Sequence, residues 1–282
     1  MRVPGLFRNS VLMLGFVFLY APIVSMIFFS FNNSRLVTVW DAVNSPTLKW
    51  YVVLFKNEAI LGAAWLSIKI AALSASGAVV LGTLAGLSLA RFGKFRGRAL
   101  LSVMITAPLV MPEVITGLSM LLLFVALEQL TGWPEGRGIL TIIFAHITFS
   151  MAYVTVVVQS RLASFDRSLE EVALDLGARP VTVFWRITLP IIFPAVLSGW
   201  LLAFTLSWDD VVISQFVSGP GSTTLPMIVY SKVRLGVSPD INALASVMVL
   251  IVALCVVLST YYIKRIEQRR VAEALMVRSE EL

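Results

Sequence analysis

Long apolar blocks, each about 20 residues or more, dominate this chain, and its charges are swept into the gaps between them. A block of that length matches the roughly 30 Å of hydrocarbon in a bilayer when coiled as a helix. Backbone amides cannot go unpaired in lipid, so such blocks must be helical. Charged residues make up only 13% of the chain against 58% hydrophobic, too little charge to coat a water-soluble domain of this size. The expected fold is all-α and polytopic, with about six transmembrane helices.

The blocks fall at about Val11–Phe31, Ile60–Ala90, Leu100–Leu127, Ile139–Ser160, Ile191–Val217 and Asn242–Ile263. The third is interrupted early by Pro108 and Pro112 in "APLVMPEVITG". The first follows a short basic start and superficially resembles a signal peptide. It is too long for an ordinary signal core and lacks a small-residue cleavage pattern, so an uncleaved first helix is expected. Lysine and arginine decide orientation. With the N terminus inside, fifteen lie in inside gaps and six in outside gaps, with Lys69 within the second block. That bias predicts both termini, Arg91–Arg98 and Arg161–Arg186 in the cytoplasm.

The net charge of +6 follows this flanking pattern rather than any aromatic–basic surface suited to nucleic acid. Cys255 is the sole cysteine and His146 the sole histidine, which excludes an intrachain disulfide and a histidine-based metal cluster. His146 is expected to be a hydrogen-bonded helix-packing residue. Lys69 is expected to snorkel towards the headgroups. Gly82 and Gly86 have the small-xxx-small spacing that lets helices approach closely.

The segment "DRSLEEVALDLGARPVTVFWRITLP", Asp166–Pro190, reads locally as two short helices with a bend. Ser168 and Glu171 have capping-box spacing. Glu170, Glu171 and Asp175 load acid towards the start of the first helix. Gly177 releases the backbone, and Pro180 starts a second helix over about Val181–Ile187. Val183, Phe184 and Trp185 give that helix an apolar surface, which calls for the headgroup zone or a protein partner.

This segment resembles the cytoplasmic motif of permease subunits in bacterial binding-protein-dependent ABC importers: Glu-Ala-Ala, three residues, Gly, nine residues, then Ile-x-Leu-Pro. Here Glu171, Val172 and Ala173 open it, Gly177 follows, and Ile187, Leu189 and Pro190 close it. Val172 departs from the family's alanine but remains a small apolar side chain. "FNNSRLVTVW", "GKFRGR", "ITAPLVMPEVITGLSMLLLF" and the text running from "LLAFTLSWDD" to "VRLGVSP" are similar to the polyamine branch of that family.

The resemblance implies the type I ABC importer permease fold, with 1–282 as one transmembrane permease domain. Within it lie a coupling loop at 161–190 and a cytoplasmic tail at 264–282. It implies the following partners: cytoplasmic ABC ATPase subunits, a second homologous permease and a periplasmic polyamine-binding protein. No Gly-x-x-x-x-Gly-Lys-Ser/Thr nucleotide loop occurs, so the chain is expected to be non-catalytic and to carry no cofactor.

Glu113, Asp209 and Asp210 lie within or beside apolar blocks, where an unpaired charge is costly. Each is either a structural group or a candidate for a cation path, with Trp208 and Phe216 as nearby walls. Asp209 stands about 27 Å along the fifth helix from Ile191, towards its outer end. One aspartate is expected to pair with Arg234, Lys232 or a loop amide while the other faces the path. The cargo implied is a polyamine, putrescine first. A stand-alone carrier for organic cations and an ABC permease for another small solute remain alternatives.

Overall fold

The computed structural model describes the backbone of residues 5–34, 39–236 and 238–280; Arg2 and Arg35 lie outside it, as does the side chain of Cys255. Twelve α-helices are described: α1 Gly5–Phe29, α2 Lys49–Lys56, α3 Glu58–Arg91, α4 Arg98–Val110, α5 Glu113–Thr131, α6 Ile139–Ala163, α7 Ser168–Asp175, α8 Pro180–Val183, α9 Leu189–Trp208, α10 Val212–Val217, α11 Leu225–Leu235 and α12 Pro239–Glu280. No strand occurs among the described residues.

Five spans are long and apolar enough to cross a membrane: Phe7–Phe29, Glu58–Arg91, Glu113–Thr131, Ile139–Ala163 and Pro180–Trp208. The 42-residue α12 supplies a sixth by length, its apolar run ending at Ile263. It continues without a break from that run into the basic tail, which is therefore helical through Glu280.

Two expected helices are broken. The third block becomes α4 and α5, because Met111 and Pro112 take extended backbone. Proline at 112 disfavours helical geometry at the residue before it. The fifth block is interrupted between Trp208 and Val212, where no proline or glycine marks the sequence.

The chain divides into two compact units. One comprises 1–58 and 232–282, the other 59–231. In the first, Asn32 organises the loop after α1. Its side chain accepts from the amides of Ser34 and Asp41 and donates to the Val39 carbonyl, while Trp50 Nε1 donates to its backbone oxygen. Lys232 forms an ion pair with Asp240 at the start of α12.

The second unit holds the core. Ile70, Ile142, Phe149 and Ile213 pack in one cluster; Ala75, Val154, Leu162 and Ile192 pack in another. Small residues permit this packing. A Cβ on Gly82 would lie 2.7 Å from Val154 Cβ and 2.9 Å from the Met151 carbonyl oxygen, and one on Gly86 would lie 3.2 Å from that of Thr155. The small-residue spacing of α3 thus meets the backbone of α6. Gly82→Ala should cost about 1–3 kcal/mol, the usual penalty of overpacking. The check is the thermal midpoint of the purified protein. An unchanged midpoint would show that α6 yields without cost.

Lys69 is exposed, and its ammonium sits 5.2 Å from the centre of the Trp65 ring. The neighbouring aromatic face shares the stabilisation of its charge with solvent or headgroups.

Candidate functional site

Two regions concentrate polar groups in the second unit. The first is the connection between α6 and α9. Helix α7 ends in a Schellman turn: Ala178 N–H donates to the Ala173 carbonyl at 3.1 Å and Gly177 N–H to that of Leu174 at 2.9 Å. Gly177 has φ +85°, which L side chains rarely adopt, although no atom occupies the space a Cβ would take. The expected capping box does not form. Asp166 accepts from the Ser168 amide instead, and that bond holds its carboxyl below the ordinary aspartate range. Arg179 is extended, and Pro180 starts α8 as its first residue.

Helix α8 does not stop before the membrane segment. It runs through a π-helical turn, Phe184–Thr188, directly into α9. Pro190 explains the widened turn: it lacks an N–H, and its ring presses on the carbonyl four residues back. Ile187 lies in the π turn; Leu189 and Pro190 begin α9.

A cleft of about 530 Å³ lies between this connection and the end of α3; its lining includes Arg91, Arg167, Glu170, Glu171, Val183 and Thr188. Glu170 is the polar centre. Thr188 Oγ1 donates to its Oε1 at 2.6 Å, and Arg91 Nε stands 2.9 Å from Oε2. The Arg91 approach is a charge contact whose N–H direction falls short of a hydrogen bond. Arg91 also sits over the Phe165 ring, and Arg167 donates to the Ala90 carbonyl at 2.7 Å.

Glu171 and Val172 are exposed, and Ala173 is half-buried. Leu169, Val172, Leu176, Val181 and Trp185 stand exposed on the same connection, Leu176 at 83% and Trp185 at 62%. The sequence singled out the motif residues but missed Arg91, Glu170 and Thr188 as a unit. They are separated by up to 97 positions, and Glu170 carries only the signal of an acid in a first helical turn.

The second region is the break after α9. Asp210, with a side chain 7% exposed, accepts from the amides of Ile213 at 3.1 Å and Ser214 at 2.7 Å. His146 Nε2 donates to Asp210 Oδ2 at 3.1 Å, with Ser214 Oγ 3.2 Å away; His146 Nδ1 meets Ser207 Oγ at 2.6 Å. A carboxylate thus supplies the acceptors that a continuous helix would have taken from backbone carbonyls. This is the physical cause of the break. His146 is a packing residue, as expected, and also the anchor of the break to α6. Asp210 is paired, but with His146 and the first-turn amides of α10 rather than with the loop amide, Arg234 or Lys232 expected; Lys232 pairs with Asp240.

Asp209 and Glu113 are exposed, and neither forms an ion pair among the described residues. Glu113 opens α5 directly after the Pro112 break. Trp208 is half-buried and extends an aromatic row, with ring centres 6.1 Å to Phe204 and 5.4 Å from Phe204 to Trp200. Phe216 instead packs towards α5, where a Cβ on Gly117 would approach its ring to 2.6 Å. The structure therefore separates the adjacent aspartates: one is folded into the scaffold, the other left outside it.

Membrane-length helices, two expected spans of which are interrupted, and an exposed two-helix connection between α6 and α9 fit a transporter permease. The chain belongs to the family of binding-protein-dependent transport system inner membrane components, whose model matches residues 78–272. It is 55% identical over 266 residues to the putrescine transport system permease protein PotI of Escherichia coli K12, covering 94% of each chain. It is 40% identical over 261 residues to the spermidine/putrescine transport system permease protein PotC of the same strain, covering 92% and 94%.

Among solved structures, it is similar to a chain of a bacterial ABC transporter that imports the acidic polysaccharide alginate. The TM-score is 0.70 at 16% identity, covering 91% of this chain and 94% of that one. A chain of the inward-facing MetNI methionine ABC transporter gives a TM-score of 0.57, also at 16% identity, with 71% and 92% covered. The fold is that of an ABC importer permease, in a multi-pass inner-membrane protein.

Proposed function

We propose that this chain is one permease subunit of an ATP-driven importer for polyamines, putrescine foremost. The observation that carries the cargo is the 55% identity to PotI along 94% of both chains. The site agrees in chemistry. A diamine presents two ammonium groups joined by methylenes; Asp209, next to Trp208 at the end of the aromatic row, offers an exposed carboxylate beside an apolar wall, and Glu113 is a second exposed carboxylate at the start of α5. Such contacts must be weak enough to release the cargo.

ATP is hydrolysed by a separate ABC subunit docked on α7 and α8. The exposed apolar row from Leu169 to Trp185 supports this reading, because such a surface outside the bilayer requires a partner. Glu171, Val172, Ala173 and Gly177 belong to the docking segment. Ile187, Leu189 and Pro190 carry it into α9. A second permease completes the path, and a periplasmic polyamine-binding protein delivers cargo. A stand-alone carrier would leave the α7–α8 face without a purpose.

This reading places both termini and the α6–α9 connection in the cytoplasm. Single cysteines at Lys94 and Glu135, both exposed, should then label from opposite sides in a Cys255→Ser background. Labelling of both from outside contradicts the orientation. The function itself is tested by ATP-driven uptake of labelled putrescine through the assembled transporter.

A further inference from the structure

We infer that Glu170, together with Arg91 and Thr188, is the clamp through which movement of the docking segment reaches the membrane helices. The inference rests on the importer reading. It assigns Glu170 a task different from that of its neighbour Glu171, which is exposed and makes no ion pair among the described residues.

The geometry joins three elements at one carboxylate. Glu170 stands in the first turn of α7. Its Oε1 accepts from Thr188, the last residue of the π turn, whose residue is only 3% exposed. Its Oε2 faces Arg91, the last residue of the 34-residue α3. Both side chains of the ion pair are largely covered, at 12% and 15% exposure, so screening by solvent is weaker than for a surface pair. One turn-length away, Arg167 ties the start of α7 to the Ala90 carbonyl. Helix α7 therefore cannot shift along or away from α3 without breaking a charge contact and a hydrogen bond, nor away from the π turn without breaking a second hydrogen bond.

The π turn gives the clamp something to move. A widened turn with irregular hydrogen bonding is a place where a helix changes direction at low cost. Thr188 sits at its junction with α9, the helix that leads to the break at Asp209 and Asp210. A push on α7 is thus handed to α3 through Arg91 and to α9 through Thr188. The apolar row that contacts the ATPase needs neither contact, so docking and transmission reside on different side chains. Glu170 is a positioning residue in this scheme, since it touches neither cargo nor nucleotide.

The test uses the complete transporter in proteoliposomes, with this chain, its partner permease, the ATPase and the loaded binding protein. Uptake of labelled putrescine and ATP hydrolysis are measured together, on preparations normalised to assembled complex. Glu170→Ala should reduce cargo delivered per ATP hydrolysed by about fivefold or more, the lower range of an energetic coupling between sites. Arg96→Gln, which removes an exposed charge from the loop after α3 without touching the clamp or the docking segment, should leave that ratio near wild type. Thr188→Val should shift the ratio in the same direction by less. The exchange Glu170→Arg with Arg91→Glu should recover most of the loss. A wild-type ratio in Glu170→Ala, or a double exchange no better than the single variants, overturns the clamp. Failure of Glu170→Ala and of the exchange to assemble with the ATPase also overturns it, by assigning Glu170 to docking. If the wild-type complex hydrolyses ATP without importing any putrescine, the cargo reading fails instead.

Discussion

Gly177→Asp is expected to reduce putrescine uptake about tenfold per assembled complex, with the chain still inserted in the membrane. Two costs combine. A side chain at φ +85° is strained by about 1–2 kcal/mol, because only glycine adopts that conformation freely. A negative charge at the end of α7 also meets the negative pole of the helix, at about 0.3–1 kcal/mol. Together they reach the 1.4 kcal/mol that corresponds to a factor of ten. No atom stands within 4 Å of the added Cβ, so the fold has no steric reason to fail. Gly177→Ala isolates the strain, since alanine adds a Cβ at the same positive φ but no charge. It should retain more uptake than the aspartate variant. Uptake at the wild-type rate in Gly177→Asp would mean that the Schellman turn does not set the docking angle.

Asp209→Asn and Asp210→Ala should fail in different ways. Loss of the Asp210 carboxylate leaves the Ile213 and Ser214 amides and His146 without their acceptor in a buried site. The cost is about 3 kcal/mol or more, and the expected result is poor recovery of assembled complex. Asp209 is exposed and holds no scaffold contact of this kind. Asp209→Asn should therefore assemble normally and reduce polyamine uptake about tenfold, in line with the loss of one charge-assisted contact. Glu113→Gln should assemble as well, with a smaller fall. Normal transport by Asp209→Asn, Glu113→Gln and their combination would assign both carboxylates to structure and remove the acidic path.

The sequence made the helix count and the membrane setting legible because both follow from composition summed over long blocks. The break at Pro112 was legible for the same reason that proline always is: its constraint is local. The bend at Gly177 and the start at Pro180 followed from turn chemistry. The break after Trp208 was not legible, because it comes from a carboxylate held by a histidine 64 positions away. Nor did the text separate Asp209 from Asp210; adjacency in sequence hides opposite environments. The capping box at Ser168 and Glu171 fit its pattern but lost to Asp166, two residues before Ser168. Glu170 stood next to the motif that drew attention, and its importance lies in contacts with α3 and the π turn that no local spacing encodes.

These residues divide the chain's work. In the proposed account the α7–α8 surface receives a partner and the Glu170 clamp passes motion on, while the breaks before Glu113 and after Trp208 leave the Glu113 and Asp209 carboxylates exposed. The most direct test of the whole account is uptake of labelled putrescine by proteoliposomes containing this chain, its partner permease, the ABC ATPase and the binding protein. Uptake should require ATP inside, the ATPase subunit and the binding protein together. Putrescine uptake that persists at the same rate with the ATPase subunit left out would contradict it.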